Sequence, residues 1–129
     1  MASHLKPNIQ TFKASADLSD YQYHFVQIVV GTEDEVELAG ANEKTIGILM
    51  NDPDTAGQPA EVAVLGGGGL LVVSETVAAL KLLTPTSASH GEVADAAGEW
   101  VGAMALNAGV VNDVVEVQIL AMHAHASDA

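Results

Sequence analysis

The sequence predicts an all-β (mainly β) domain, a small β-barrel or sandwich of two similar halves with an extended N-terminal arm. Three observations predict it. First, short runs of β-branched and large apolar residues recur between turns rich in Gly, Pro, Asn and Asp. Second, one run alternates: Val115, Val117 and Ile119 interleave with Glu116 and Gln118, the period of a strand with one wet face. Third, the chain matches itself 55 positions on. Glu37 falls on Glu92, Leu38 on Val93, Ala39 on Ala94 and Ile46-Gly47 on Val101-Gly102. Without a gap, Glu61-Val62 then falls on Glu116-Val117, and upstream Phe25 falls on Leu80 and Ile28 on Leu83.

The elements follow in order. Residues 1–20 read as an arm, because Pro7, Ile9, Phe12 and Leu18 show no period. Lys6 and Lys13 make this the one locally basic stretch of an acidic chain, suited to lying on an acidic surface of its own or a neighbouring subunit. Lys6, Pro7, Ile9, Phe12 and Lys13 are therefore the candidate subunit contacts, with a frayed terminus as the alternative. On this reading, deleting residues 2–18 leaves a folded domain.

Residues 21–121 read as one β-domain with pseudo-repeats at about 25–66 and 80–121, and 122–129 as a tail. Copy one offers strands in "FVQIVV" (25–30), "TIGILM" (45–50) and "AEVAVL" (60–65), with a short strand after the turn "GTEDE" (31–35). Copy two offers "LKLLT" (80–84), "WVGAMAL" (100–106) and "VVEVQIL" (114–120), with a short strand after "PTSASHG" (85–91). Only "SETVAALKLL" (74–83) is compatible with a helical turn or two, and a loop into a strand fits there equally well.

Between the copies runs "VAVLGGGGLLVV" (62–73). A P-loop would need Lys and Ser or Thr after its last glycine, and here Leu70 and Leu71 follow. A dinucleotide fingerprint would need a helix, and Leu-Leu-Val-Val reads as strand. Gly66, Gly67, Gly68 and Gly69 are thus read as a structural turn: a bulge or crossover where side chains would obstruct the chain.

Composition narrows the function. The 129 residues are one domain's worth. There is no cysteine, so neither disulfides nor thiolate metal sites arise, and the chain fits a reducing compartment. Four lysines and no arginine face seventeen acids, for a formal net charge of −13. Nucleic acid is an unexpected partner on that charge. No apolar run approaches a membrane span, and the first residues lack the apolar core of a signal peptide.

Candidate chemistry is sparse. His123 and His125 form an H-x-H pair with Asp128 beyond, but two ligands on a tail make a weak metal site. His24 and His90 lack a nucleophile in a recognisable motif, and no serine sits in a G-x-S-x-G elbow. "GTEDEVE" and "NDPDTAG" lack the ladder of an EF-hand. Trp100 opens a strand where copy one has Thr45, as core by default or as an anchor at a subunit contact. No catalytic, cofactor-binding or metal-binding residue is expected, and the chain is not expected to be an enzyme.

The succession "EKTIGILMNDPDTAGQPAEVAVLGG", then "LTPTSASHGEVADAAGEWVGAMALNAG" and "NDVVEVQIL", resembles the small capsid decoration, or cement, proteins of tailed bacteriophages, a family first grouped as a domain of unknown function. The resemblance spans about residues 20–121, and order and spacing carry it. The family commonly has Gly-Asp before its Leu-Thr, whereas Lys81-Leu82 precedes Leu83-Thr84 here. The resemblance implies a β-domain on the outer surface of the virion, made in the bacterial host cytoplasm. It implies contact with the major capsid protein, homotrimers at three-fold and quasi-three-fold positions, bridging of neighbouring capsomers and stabilisation of the shell. From another class, the alternative is a small β-barrel binding module that recognises a host-surface ligand.

Overall fold

The computed structural model describes residues 6–32 and 34–124. Among them the fold is all-β, in two sheets. The first five strands are β1 (Ile9–Ala14), β2 (Phe25–Ile28), β3 (Glu35–Leu38), β4 (Gly47–Leu49) and β5 (Pro59–Val64). They close into a barrel in the order β1-β3-β2-β4-β5. The next five are β6 (Gly68–Val72), β7 (Leu82–Pro85), β8 (Gly91–Val93), β9 (Trp100–Ala105) and β10 (Val114–His123). They form an open sheet in the order β6-β10-β9-β7-β8.

The two orders are one topology. Matching β1 to β6, β2 to β7 and so on to β10, every antiparallel pairing of the barrel recurs in the sheet. Loop hydrogen bonds recur as well. Ala39 N–H donates to Phe25 O (3.1 Å) as Ala94 N–H donates to Leu82 O (2.8 Å). Tyr23 N–H donates to Leu49 O (2.6 Å) as Leu80 N–H donates to Ala105 O (2.7 Å), and both Tyr23 and Leu80 hold left-handed φ, 69° and 73°. Phe25 therefore occupies the place of Leu82, two residues beyond the Leu80 that the ungapped alignment assigns to it. The loops differ in length, so one fixed offset cannot serve every strand.

Closure separates the halves. In the barrel, β1 runs parallel to β3, with Lys13 opposite Glu35 and Ala14 opposite Val36. In the sheet, the same contact shrinks to a single parallel bridge, Val73 with Gly91. Gly91 stands where the barrel has Val36, and a Cβ on it would lie 2.6 Å from Leu71 Cδ2. Leu71 fills the space that a side chain at Gly91 would need.

The interior follows from alternation. Val26, Val36, Leu49, Ala60, Val62 and Val64 fill the barrel with Ala14 and Leu18. A second core joins the halves. Leu71, Val73, Leu83, Ala103, Ala105, Val115, Val117 and Ile119 of the sheet pack with Phe25, Ala39, Ile48 and Ala63 of the barrel half. Burying a side chain such as Leu83 or Phe25 contributes about 1.5–3 kcal/mol each. Backbone bonds also cross the join: Phe25 N–H donates to Ser89 O (2.8 Å) and Val72 N–H to Tyr23 O (2.9 Å).

Three expectations change, and one open reading is decided. The N-terminal arm is corrected first: Ile9–Ala14 is β1, paired with β5 over five positions from Ile9↔Ala63 to Lys13↔Pro59. Its pairing partners lie some fifty residues away in sequence, so no local period marks it. The tail also begins later, because Met122 and His123 extend β10 and pair with Val101 and Trp100. The segment 74–83, left open between a helical turn and a loop into a strand, is the loop, leading into β7. Val77 bridges to Gly109, and Leu80's left-handed backbone ends any helical run. Finally, the wet face predicted for 114–120 is not wet at Glu116, which is 8% exposed.

Candidate contact surface

The glycine run sits where the N-terminal segment crosses the join. Gly66 turns the chain at φ +104°, a conformation that disfavours any side chain. Asn8 O accepts from Val64 N–H (2.8 Å), Asn8 Nδ2 donates to Leu65 O (2.9 Å), and Lys6 O accepts from Gly68 N–H (3.1 Å). On the other side, Gly67 O accepts from Ile119 N–H (3.1 Å) and from Gln118 Nε2 (2.9 Å). A Cβ on Gly67 would stand 2.5 Å from Asn8 N and 2.7 Å from Lys6 O. The backbone of the N-terminal segment leaves no room for it. Gly68 and Gly69 lie one step later, inside β6.

The candidate contact residues are placed as follows. Lys6, Pro7 and Ile9 are exposed beside the glycines. Phe12 is half-buried and packs on the barrel core. Lys13 pairs with Asp34 at 3.4 Å with both side chains more than half exposed, a pair worth about 0–1 kcal/mol. Thr11, Phe12, Lys13, Asp34, Gly57 and Pro59 line a shallow groove beside that pair.

The outward faces of the equivalent ribbons β1–β5 and β6–β10 differ. In the barrel, Thr11 lies opposite Glu61, and its hydroxyl donates to Glu61 Oε1 (2.8 Å). In the sheet, Leu70 lies opposite Glu116. Asn51 Oδ1 accepts the Glu61 N–H (2.9 Å), and Asn107 Oδ1 accepts the Glu116 N–H (3.0 Å). The acid and its asparagine recur; the partner hydroxyl does not. Sequence reasoning passed over Leu70 and Glu116. The signal was the recurring Asn and Glu, but Thr11 and Leu70 align only once β1 is known to be a strand.

The histidines are structural in placement. His24 is buried at the join, with ring centroids 5.4 Å from Tyr21 and 4.7 Å from His90, and Nδ1 3.1 Å from Gln22 O. Desolvation lowers the His90 pKa, and the neighbouring His24 adds to that. His123 stacks edge-on with Trp100 at 5.4 Å, while its Nδ1 lies 3.1 Å from Gly98 O. His125 and Asp128 lie outside the described residues. Trp100 is half-buried, and its Nε1–H donates to Thr45 Oγ1 (2.9 Å), tying together the two residues that the internal repeat equates.

Burial, and then Glu75, Glu99 and Asp95, raise the Glu92 pKa. The Ser19 hydroxyl and N–H lower that of the exposed Asp17. Among the described residues, no group of three or more His, Asp or Glu side chains converges as metal ligands would, and no helix is long and apolar enough to cross a membrane.

Among solved structures, the N base of head fiber gp8.5 of bacteriophage phi29 is similar in fold. The likeness has a TM-score of 0.70 at 14% identity, covering 89% of this chain and 95% of that one. At that identity the likeness is one of fold. No protein-family model and no curated protein matches the chain.

Proposed function

We propose that the chain is a structural protein of a phage virion. It binds the outer surface of the capsid as a decoration or cement protein, contacts the major capsid protein and bridges its subunits to stabilise the shell. The observation that carries this reading is the fold. A domain of similar fold and nearly matching extent is the N base of a phage head fiber. The sequence resemblance points the same way independently, through "TIGILM", "AEVAVL" and "VVEVQIL" in order. The net charge of −13 supports it too, since strong acidity keeps a surface protein soluble and off the packaged genome.

On this reading the chain is not an enzyme and acts by attachment alone. Homotrimers at three-fold and quasi-three-fold positions would add several weak contacts into a firm one. Cosedimentation with empty shells, set beside cosedimentation with host cells, tests it. Saturable binding to shells, with density at local three-fold axes in electron micrographs, is expected. Binding to cells and not to shells would move the chain to the host-ligand class.

A further inference from the structure

The ribbon β6–β10 carries an acid that nothing among the described residues satisfies. Leu71, Val115 and Val117 point into the core. By alternation, Leu70, Val72, Val114, Glu116 and Gln118 point outward, with Val72 opposite Val114 and Leu70 opposite Glu116. Glu116 is nevertheless 8% exposed. Its Oε1 has one long contact, to Asn107 Nδ2 at 3.4 Å. Its Oε2 is cut off from water and has no hydrogen-bond partner among the described residues. An acid oxygen left this way is costly unless something else completes it.

The barrel half shows what completion looks like. There Thr11 serves Glu61, and Lys13 lies opposite Pro59. The sheet half puts Leu70 in the place of Thr11, Val72 in that of Lys13 and Val114 in that of Pro59. Polar residues have become apolar around a retained carboxylate. Val114 is 44% exposed, and Val110 and Val111 in the loop before it are 56% and 55% exposed. An apolar patch around an unpaired acid is the pattern of an interface core awaiting its partner.

We infer that the outward face of β6–β10 docks on another protein, which lays apolar side chains on Leu70, Val72 and Val114 and sets a Lys or Arg side chain over Glu116, whose carboxylate turns outward to meet it. Charge selects that occupant. A phosphate surface would meet the acid with like charge. A second copy brought face to face would set Glu116 against Glu116, and each copy carries a net −13. This inference rests on the proposed virion role, under which the partner is the shell protein.

The test uses the full chain and empty shells. Leu70→Thr with Val72→Lys rebuilds the barrel's arrangement, and Glu116→Gln removes only the charge. Asp52→Asn, in an exposed loop of the barrel half, removes the same charge elsewhere. The double variant is expected to keep its unfolding midpoint and to bind shells at least about tenfold more weakly. Glu116→Gln is expected to weaken binding similarly, and it carries the test should the double variant fail to fold. Asp52→Asn should bind as the parent does.

Unchanged shell affinity in Glu116→Gln and in a folded double variant overturns the inference and leaves the virion role standing. A parent chain that does not bind shells overturns both. Sedimentation separates the remaining case: a parent oligomer that falls apart in Glu116→Gln makes a second copy the occupant, and that also overturns the inference.

Discussion

The barrel half and the sheet half share a topology and differ in how each completes its core. The barrel closes on itself, because β1 reaches β3 and the interior fills with its own Val26, Val36, Leu49 and Val62. The sheet stops one bridge short of closure, at Val73 and Gly91, and borrows Phe25, Ile48 and Ala63 from its neighbour. Two copies of one plan thus play different parts. One is self-sufficient, and the other depends on the join. The outward ribbons diverge in the same sense, polar and internally paired on the barrel, apolar and unpaired on the sheet.

The largest way to break that difference is to open the barrel. Deleting residues 2–18 removes β1, and with it five paired positions against β5 and the parallel contact with β3. The barrel half then has two unpaired edges and an uncovered interior. Loss of the cooperative thermal transition is expected, read by circular dichroism. A truncated chain that melts near the parent's midpoint would show that β1 is dispensable, as an arm would be.

Next comes the borrowed core. Phe25 is fully buried, and Gly102 approaches so closely that a Cβ on it would lie 2.7 Å from Phe25 Cε1. Phe25→Ala should cost about 3–5 kcal/mol. If the sheet depends on the barrel, amide exchange should accelerate in β7, β9 and β10 as well as in β2. Acceleration confined to the barrel strands would mean that the sheet holds its own core.

Gly67→Val acts at the crossing between the halves. The added side chain must displace the backbone of Lys6 and Asn8, since a Cβ there meets both within 2.7 Å. A loss of about 1–3 kcal/mol is expected from chemical denaturation. A midpoint equal to the parent's would mean that the N-terminal segment moves aside without cost.

How much of this could be read from the sequence depends on how local each feature is. "AEVAVL" and "VVEVQIL" announce β5 and β10 because alternation is local, and the turns around them hold Gly, Pro, Asn and Asp. The glycine run also announced a crowded crossing, though not which backbone crowds it. β1 was invisible, because Ile9, Phe12 and Lys13 gain their order from β5 and β3, far along the chain. The state of Glu116 was hidden for the same reason. Its pattern reads as a solvated position, and its burial is a tertiary outcome.

A smaller effect sharpens the join. His90 has its pKa lowered by burial, with His24 adding to it, so the folded chain holds its proton less tightly than the unfolded chain does. The sign follows by linkage: this contribution is present above about pH 6.5 and is lost as pH falls through the lowered folded value. Glu92 carries the opposite sign. Its raised value favours the fold as pH falls toward the ordinary carboxylate value of about 4.5. Near pH 6.5, well above that value, the His90 effect should dominate. The melting temperature should drop on acidification, and by less in His90→Asn. Parallel curves for the two proteins would remove His90 from the account.

The smallest test makes the barrel's outward ribbon resemble the sheet's. Lys13 pairs with Asp34 on the way into β3, and its counterpart in β6 is Val72. Both ends of that pair are more than half exposed, so solvent screens it and the expected loss is under about 1 kcal/mol. Lys13→Val should therefore leave the barrel closed and nearly as stable. A much larger loss would mean that charge helps to close the barrel. A negligible one leaves closure to the backbone pairing of β1 with β3 and β5. The sheet keeps only one bridge of the first of these pairings, Val73 with Gly91, and the absence of a lysine at Val72 would then have no part in leaving it open.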